Sequence, residues 1–500
     1  MILVLAVAAR NIRNAVIQNR MTYFILVLIS AFLSAGAFYY NEFFIFFSLT
    51  PFLYVLFKTE YIKKRFLLGY IWGLVYFACL CYWLIHVSWL GLVLLTLYLG
   101  CYPALFAVLC KPKNKFINIY YVSGLWVILD FLRSFLSFKF AWGYFGYALS
   151  ENKVLIQIAD LTGVHGVSFI VVLVNCLFLY FITKVILRKK ILHSFVLLAI
   201  FVCSFVYGNN RLKNLVSTGV AKDVALIQTN VNSNFKWDLS FYQDNLERFE
   251  LLVHIAKHKG AKLIISPESI LPFPWGKKPS MMQRIQSVAK ETKTPLLLGI
   301  PFYKNNQIYN SSLFLTHTGE VKDVYFKVHL VPFGEYMPLR RIFLFLENIY
   351  PIGSYSRGDS LKLFDYMKHR FSILICYEDI PADIIRRATV LGAHFFVNQS
   401  DEGWFKETKE MYLHNQIAVF RAIENRRSIV RSTNTGLSCF IDYKGNVIEQ
   451  LEPFKADVLV ADVPIYTKFS FYSKYSWLFI WILLIGVVIY LFSSGIRRNF

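Results

Sequence analysis

Long apolar runs alternate with short polar segments over the first 210 residues, and one more apolar run lies near the C-terminus. Most of these runs have roughly the 20 residues that a helix needs to cross a bilayer. Spans are predicted at residues 21–40, 43–57, 66–85, 88–110, 116–136, 164–186, 191–207 and 476–493. The second run is short and carries Pro51. The pattern therefore predicts a polytopic α-helical membrane domain with seven spans at 1–210 and an eighth membrane helix at 474–495.

Basic residues collect in every second loop between these spans. They precede the first span and follow the second, fourth, sixth and eighth, as Lys63 and Lys64 or Lys189 and Lys190 do. Loops rich in lysine and arginine stay in the cytoplasm. Seven spans would place residues 208–475 on the opposite side. The chain is therefore predicted to be a multi-pass membrane protein with this region on the non-cytoplasmic side.

Between residues 222 and 465 the pattern changes to short β-like runs separated by helical stretches. The predicted strands are Val224–Thr229, Leu263–Pro267, Pro295–Ile300, Ser311–Leu315, Phe371–Cys376, His394–Asn398, Ser428–Ser432, Ser438–Asp442 and Val458–Val463. The predicted helices are Leu239–His258, Met281–Glu291, Ala382–Leu391 and Glu410–Glu424. Strands that alternate with helices indicate a layered α/β domain with its own core. We place this domain at 220–468.

Composition agrees with a membrane protein, because hydrophobic residues make up 56% of the 500-residue chain. The net charge of +22 resides mostly in short loops, which favours positive-inside topology over a nucleic-acid-binding surface. Six of the eight cysteines lie in apolar segments, which leaves Cys376 and Cys439 in the polar region. Neither a disulfide framework nor metal-ligand spacing is indicated. We therefore expect no cofactor and no bound metal.

Three fragments of the 222–465 region carry ionisable residues beside apolar strands. They are IISPES with Glu268, YFKVHLVPFGEY with Lys327 and Glu335, and ILICYE with Cys376 and Glu378. A cysteine at the end of a buried strand is placed as a nucleophile, and a desolvated carboxylate can act as its base. A lysine can stabilise both the thiolate and the oxyanion of a tetrahedral intermediate. Glutamate, lysine and cysteine are thus sufficient for acyl transfer through a thioester.

Each residue also has an ordinary explanation. Cys376 could be a buried structural cysteine, Glu268 a turn carboxylate and Lys327 a surface lysine. Glu335 and Glu378 could be salt-bridge partners. Position alone does not separate these alternatives, and only the whole set in this order favours catalysis.

The three fragments together resemble the nitrilase, or carbon–nitrogen hydrolase, superfamily. The wording YFKVHLVPFGEYMP and the fusion to membrane spans resemble the apolipoprotein N-acyltransferase family in particular. The resemblance extends into the membrane part, through LWVILDFLR, FAWG, FGY, QIA and GVHGVS, and covers most of residues 120–465. Two positions depart from the pattern: Ala141 stands in place of proline, and Asp401-Glu402 in place of Asn-Asp.

The resemblance implies an αββα sandwich and a Glu-Lys-Cys triad. By position, Cys376 would be the nucleophile, Glu268 the base and Lys327 the oxyanion stabiliser. Glu335 would orient Lys327 or relay protons, and Glu378 would support the site. The same comparison suggests that Trp237 and Asn310 line the pocket and that the Tyr377 backbone N–H contacts the oxyanion.

The resemblance also suggests substrate-binding residues near the membrane, Arg133 and Trp142. Arg133 could contact a lipid phosphate, or it could simply pair with Asp130 three residues earlier on the same helix face. The aromatic segment 337–360 could dip into lipid as a lid, or it could be an ordinary packed excursion.

The implied activity is transfer of an acyl chain from a phospholipid, through a thioester on Cys376, to the α-amine of an apolipoprotein's diacylglyceryl-cysteine. The expected partners are therefore a phospholipid donor, the apolipoprotein acceptor and membrane lipids, with no nucleic acid. A membrane-tethered amidase that uses water in place of the amine is the alternative enzyme. A receptor or transporter with a degenerate domain is a third possibility, which the intact triad disfavours.

Overall fold

A computed structural model describes residues 2–110, 118–136, 139–183, 185–338 and 353–496 of the chain. The N-terminal helices are α1 (Ile2–Tyr39), α2 (Thr50–Lys58), α3 (Ile62–Leu80), α4 (Trp89–Leu109), α5 (Ile119–Phe135), α6 (Ala159–Thr162), α7 (Val164–Ile182) and α8 (Leu187–Asn214). The segment 337–360, interpreted above as a lid or a packed excursion, lies partly outside the described residues.

The described helices do not confirm all eight predicted spans. Four are long and apolar enough to cross a membrane: Met21–Tyr39 within α1, α4, α7 and α8. The predicted second span is a short 3₁₀ turn followed by α2, and nine helical residues extend only ~14 Å. Three basic residues lie in the first turn and a half of α3, and α5 has 17 residues. The membrane part is therefore a bundle of apolar helices that contains four candidate spans and does not confirm the full set of eight.

Two six-stranded mixed sheets form the second half of the described chain. The strands are β1 (Gly219–Gln228), β2 (Leu263–Ile265), β3 (Leu296–Gly299), β4 (Phe302–Lys304), β5 (Gln307–Tyr309), β6 (Ser311–Leu315), β7 (Val321–Phe326), β8 (Leu363–Tyr366), β9 (His369–Ile375), β10 (Phe395–Ser400), β11 (Ser428–Thr433), β12 (Cys439–Ile441), β13 (Val447–Gln450) and β14 (Asp457–Ile465). The strand orders are β14-β1-β2-β3-β6-β7 and β13-β12-β11-β10-β9-β8, and β4 pairs with β5 as a separate hairpin.

The helices of this half are α9 (Ser233–Lys236), α10 (Tyr242–His258), α11 (Pro279–Thr292), α12 (Ala382–Leu391) and α13 (Glu410–Asn425). Side chains of β1, β2, β9, β10 and β11 share a core between the two sheets. A second core lies between the first sheet and α10 with α11. The layers are therefore α–β–β–α, as the resemblance implies.

The outer face of the second sheet is covered by α12 and α13, which in turn contact the membrane helices. Ile384 of α12 and Ile417 of α13 belong to the same apolar cluster as the membrane helices. After β14 the chain continues through α14 (Phe471–Tyr475) into the apolar helix α15 (Leu478–Ile496). The layered domain thus packs directly on the helical bundle through α12 and α13.

Candidate active site

Glu268, Lys327 and Cys376 each follow a β-strand, and all three belong to one site. Glu268 follows β2 in the first sheet, Lys327 follows β7 at the edge of that sheet, and Cys376 follows β9 in the second sheet. Because Glu268 and Cys376 each follow a strand, both could have faced one end of a sheet. Instead they come from the two facing sheets, whose ends are joined where Gln399 donates to the Ser266 carbonyl at 2.8 Å.

Cys376 occupies a sharp turn. Its backbone φ is +50°, and β9 gives way at this residue to a 3₁₀ turn over Cys376–Asp379. A non-glycine residue in the left-handed region is uncommon, and such strain concentrates at functional sites. The thiol is partly exposed, whereas Cys439 is buried within β12. This geometry supports a nucleophile over a structural cysteine.

Lys327 lies between two carboxylates. Its Nζ is 2.9 Å from Oε1 of Glu335 and 3.6 Å from Oε1 of Glu268. Asn310 donates from Nδ2 to Glu268 at 2.7 Å and to Glu335 at 2.6 Å. Lys327 is 1% exposed, so it is not a surface lysine. Four of the residues that the sequence singles out therefore form one buried polar cluster.

The pKa values of Lys327, Glu268 and Cys376 are shifted by burial and by their charged neighbours. Burial opposes the charge of Lys327, but the carboxylates of Glu335 and Glu268 hold the pKa of Lys327 above its ordinary value. Burial raises the pKa of Glu268, which Lys327 partly offsets. Burial also raises the pKa of the Cys376 thiol well above its ordinary value, and Glu268 raises it further. The cluster thus holds one permanent cation, a carboxyl of raised pKa and a thiol that needs a base.

Glu378 connects the loop that follows Lys327 to the turn that begins at Cys376. Its carboxylate accepts from the backbone N–H groups of Val328 (2.8 Å), His329 (3.0 Å) and Ile375 (2.9 Å) and from the Tyr325 hydroxyl (3.0 Å). Burial raises the pKa of Glu378 to about 7. Glu378 therefore acts on the positions of Lys327 and Cys376 from beneath the turn.

The remaining candidates lie at different distances from the triad. Tyr377 stacks on His329 with ring centroids 5.9 Å apart, and its hydroxyl donates to the Lys139 carbonyl at 3.2 Å. Trp237 is exposed, beside the buried Lys236. Arg133 is buried, pairs with Asp130 at 2.9 Å and donates to the Trp142 carbonyl at 2.5 Å. Arg133 and Trp142 therefore form a cluster within the membrane part, apart from the triad.

Sequence reasoning missed Lys236. Its ammonium donates to the backbone carbonyl of Glu268 at 2.9 Å and forms a buried ion pair with Asp401. A buried carboxylate requires a partner. Aspartate in place of the pattern's asparagine at position 401 was therefore a signal that a cation lies nearby.

Comparison with known proteins agrees with this architecture. Residues 223–467 match the family model for carbon–nitrogen hydrolases, and residues 25–177 match the apolipoprotein N-acyltransferase N-terminal domain. The fold and site therefore define an enzyme of the carbon–nitrogen hydrolase class joined to a membrane domain. The chain belongs to the apolipoprotein N-acyltransferase family, and it is an acyltransferase rather than the tethered amidase considered above.

Relatives align over most of the chain. The apolipoprotein N-acyltransferase of Geobacter metallireducens is 33% identical over 85% of this chain and 86% of its own length. That of Haemophilus influenzae is 29% identical over 87% of this chain and 88% of its own. Among solved structures, an amidase from Nesterenkonia sp. is 21% identical and covers 50% of this chain and 93% of its own, with a TM-score of 0.39.

Proposed function

We propose that the protein takes an acyl chain from a membrane phospholipid and transfers it to the α-amine of a diacylglyceryl-cysteine apolipoprotein. The observation that supports this proposal is the set of buried Glu268, buried Lys327 and partly exposed Cys376 on a domain that packs against apolar helices. Both substrates are lipid-anchored, so their reacting groups lie at the bilayer surface.

In the first half-reaction Glu268 takes the thiol proton of Cys376, and the thiolate attacks the ester carbonyl of the phospholipid. Lys327 and the Tyr377 backbone N–H stabilise the oxyanion of the tetrahedral intermediate. The intermediate collapses to a thioester, and the lysophospholipid alkoxide leaves with the proton held by Glu268. The acyl chain is then carried by the enzyme in an activated form.

In the second half-reaction the amine of the apolipoprotein attacks the thioester. Glu268 accepts a proton from the amine, an amide bond forms, and the Cys376 thiol is released. Glu335 holds Lys327 and Asn310 in place throughout. Trp237 and Asn310 line the pocket. Arg133 and Trp142 contact the phospholipid from the membrane side.

We further propose that the catalytic domain, residues 220–468, lies in the periplasm. The sequence pattern predicts seven membrane segments within 1–210 before this domain and one within 474–495 after it. The basic loops all fall on the cytoplasmic side of this arrangement, which supports placement in the bacterial inner membrane.

An acyl adduct on Cys376 is the direct test. Intact mass spectrometry of the purified protein, incubated with phospholipid and no acceptor, should show a gain of one acyl chain. Cys376→Ala should abolish the adduct, and Cys439→Ala, which alters the buried cysteine of β12, should retain it. An equal adduct on the Cys376→Ala protein would disprove the assignment. Addition of an amine-bearing lipopeptide should then discharge the adduct as an amide.

A further inference from the structure

A second buried cluster of acidic side chains lies on the membrane-facing side of the domain, apart from the triad. Glu402 belongs to the turn after β10, and Glu410 and His414 lie on successive turns of α13. One ligand atom from each residue, two carboxylate oxygens and an imidazole nitrogen, lies within 4.8 Å of the others. All three side chains are at most 3% exposed.

The orientation of His414 is that of a metal-binding imidazole. Its Nε2 lies 2.6 Å from Oδ1 of Asp379, and that carboxylate can accept only if Nε2 carries the proton. Nδ1 faces Oε1 of Glu402 at 3.2 Å and Oε1 of Glu410 at 3.7 Å, and either a proton or a metal ion can lie between this nitrogen and the carboxylates. A carboxylate behind the distal nitrogen is the usual support of a metal-binding histidine.

Several atoms of the cluster lack hydrogen-bond partners among the described residues. They are Nδ1 of His414, Oε2 of Glu402 and Oε2 of Glu410. Buried polar atoms without partners are costly, so each calls for an explanation. A Cβ at position 436 would collide with Oε2 of Glu402, so this carboxylate oxygen fits only because residue 436 is glycine. Glu402, Glu410 and Gly436 line one narrow crevice.

Charge supports a cationic occupant. Arg431 pairs with Asp379 at 2.6 Å and with Glu402 at 2.7 Å. Arg421 is already paired with Glu424. Among the described residues, the carboxylates of Asp379, Glu402 and Glu410 are therefore offset by the guanidinium of Arg431, which leaves two negative charges when the imidazole is neutral. Buried charge of this size requires either protons or a divalent cation.

We propose that Glu402, Glu410 and His414 bind a divalent transition-metal ion, of which Zn²⁺ and Mn²⁺ suit mixed imidazole and carboxylate ligands. The 3.2 and 3.7 Å separations from Nδ1 agree with ligands that share an ion at about 2.0–2.2 Å. The ion connects α13 to the turn after β10. Through Asp379 it also connects to the turn that begins at Cys376. Its role is structural, since none of the three ligands belongs to the triad.

Glu402 also explains why this site was not expected from the sequence. The family pattern has aspartate at this position, and the extra methylene lets the carboxylate reach the crevice at Gly436. The spacing Glu402, Glu410, His414 follows no short metal-binding motif, because Glu402 lies outside the helix that carries the other two.

The test uses tag-free, full-length protein in detergent, stripped with a chelator and dialysed. We expect it to take up one equivalent of Zn²⁺ or Mn²⁺, with a thermal midpoint that rises with free ion, and to show no comparable response to Mg²⁺. Absence of stoichiometric uptake, which would mean that protons alone occupy the cluster, would overturn the proposal. An equal response to Mg²⁺ would also overturn it, because the imidazole would then not be a ligand.

Matched variants locate the ion. Glu410→Gln should weaken uptake by about 100-fold or more, since it removes one of three ligands. Glu250→Gln changes a carboxylate that pairs with Arg284 in the α10–α11 layer, away from the cluster, and this variant should bind the ion as the parent does. If Glu410→Gln binds equally well, the site lies elsewhere. Should that variant fail to fold, the absorption of the Co²⁺-loaded parent decides: a sulfur-to-cobalt charge-transfer band would assign the ion to cysteines and overturn the proposal.

Discussion

Lys327 has two carboxylates and one amide within its immediate surroundings, through Glu335, Glu268 and Asn310. Because the carboxylates hold the pKa of Lys327 above its ordinary value, the ammonium stays charged across the whole range in which an enzyme is assayed. The titration of the site therefore falls to Glu268, Cys376 and the supporting carboxyl of Glu378. Burial raises all three pKa values, which sets the direction of the pH dependence.

The acylation half-reaction should accelerate as pH rises and then level off. Glu268 is a base only when ionised, and its pKa lies above the usual 4.5 because the carboxyl is buried. The rate is therefore lost as pH falls through that raised pKa and is fully present above it. The measurement is the single-turnover rate of acylation by phospholipid at each pH, with the reaction quenched at set times and the adduct quantified by mass spectrometry. A rate that does not change with pH while the protein stays folded would contradict a titrating base.

Glu268→Gln and Lys327→Met should fail in different ways. Without Glu268 the thiol must ionise unaided, so acylation should be slow at neutral pH and should partly recover in alkali. The recovery is aided because the Glu268 charge, which raises the pKa of Cys376, is also gone. Without Lys327 an oxyanion donor is lost, a change that typically costs about 10²–10³ in rate. Alkali cannot replace that charge.

Single-turnover acylation of both variants from about pH 6 to 9.5 compares them directly. Recovery of Lys327→Met in alkali, with none for Glu268→Gln, would mean that the two roles are reversed. Removal of one member of a coupled set can disturb the others, so the adduct mass is checked in parallel to establish that Cys376 remains the acylated residue.

At the scale of elements, most of the strands that the sequence predicts are buried on both faces, and β14, which has mixed exposure, is an exception. β2, β3, β6 and β9 consist almost entirely of buried side chains, and their apolar runs are visible in the sequence. The missed strands are β4, β5, β7, β8 and β13. Their residues are largely exposed or of mixed exposure, so no apolar run marks them.

The positions of Glu268 and Cys376 could be predicted for a related reason, and the contacts that support them could not. Glu268 and Cys376 directly follow apolar strands, so the sequence places them at strand ends. Lys236 approaches Glu268 from a short helix more than 30 residues earlier, a contact created only by tertiary packing. The predicted second span, residues 43–57, was not visible as a short element for the same reason, because its apolar run folds into a 3₁₀ turn and a nine-residue helix packed in the bundle.

Addition of a single methyl group at Gly299, in the strand next to Glu268, should slow acylation. It ends β3, and its N–H donates to Ser266 Oγ at 3.0 Å. A Cβ here would collide with the Pro267 carbonyl and approach the Glu268 Cα to 2.7 Å. Gly299→Ala should therefore displace the base, and a displacement of about 1 Å can cost on the order of 10²-fold in rate.

Gly486→Ala is the matched control, because a Cβ at Gly486 in α15 meets nothing within 4 Å. The measurement is the acylation rate beside the thermal midpoint of each variant. Parent-like acylation by a folded Gly299→Ala protein would show that the close approach of β3 to Glu268 does not position the base.

At the scale of the whole molecule, buried polar contacts join the layered domain to the helical bundle. Arg426 bonds to Asp160 at 2.7 Å, and Gln157 donates to the Lys444 carbonyl at 2.9 Å. The Val164 N–H donates to Glu424 at 2.8 Å. These contacts lie beside the shared apolar core of α12 and α13. These contacts fix the position of the layered domain, and with it the turn at Cys376, relative to the membrane helices. Such an arrangement suits substrates that are confined to a membrane.

Orientation in the membrane can be tested with single introduced cysteines. Lys304→Cys, in the exposed β4–β5 hairpin of the proposed periplasmic domain, should react in intact cells with a maleimide that does not cross the inner membrane. Lys63→Cys, in a basic segment expected in the cytoplasm, should react only after lysis. The parent protein, with its eight native cysteines, supplies the background. Protection of Lys304→Cys and labelling of Lys63→Cys in intact cells would reverse the proposed topology and place the acyl transfer on the cytoplasmic side.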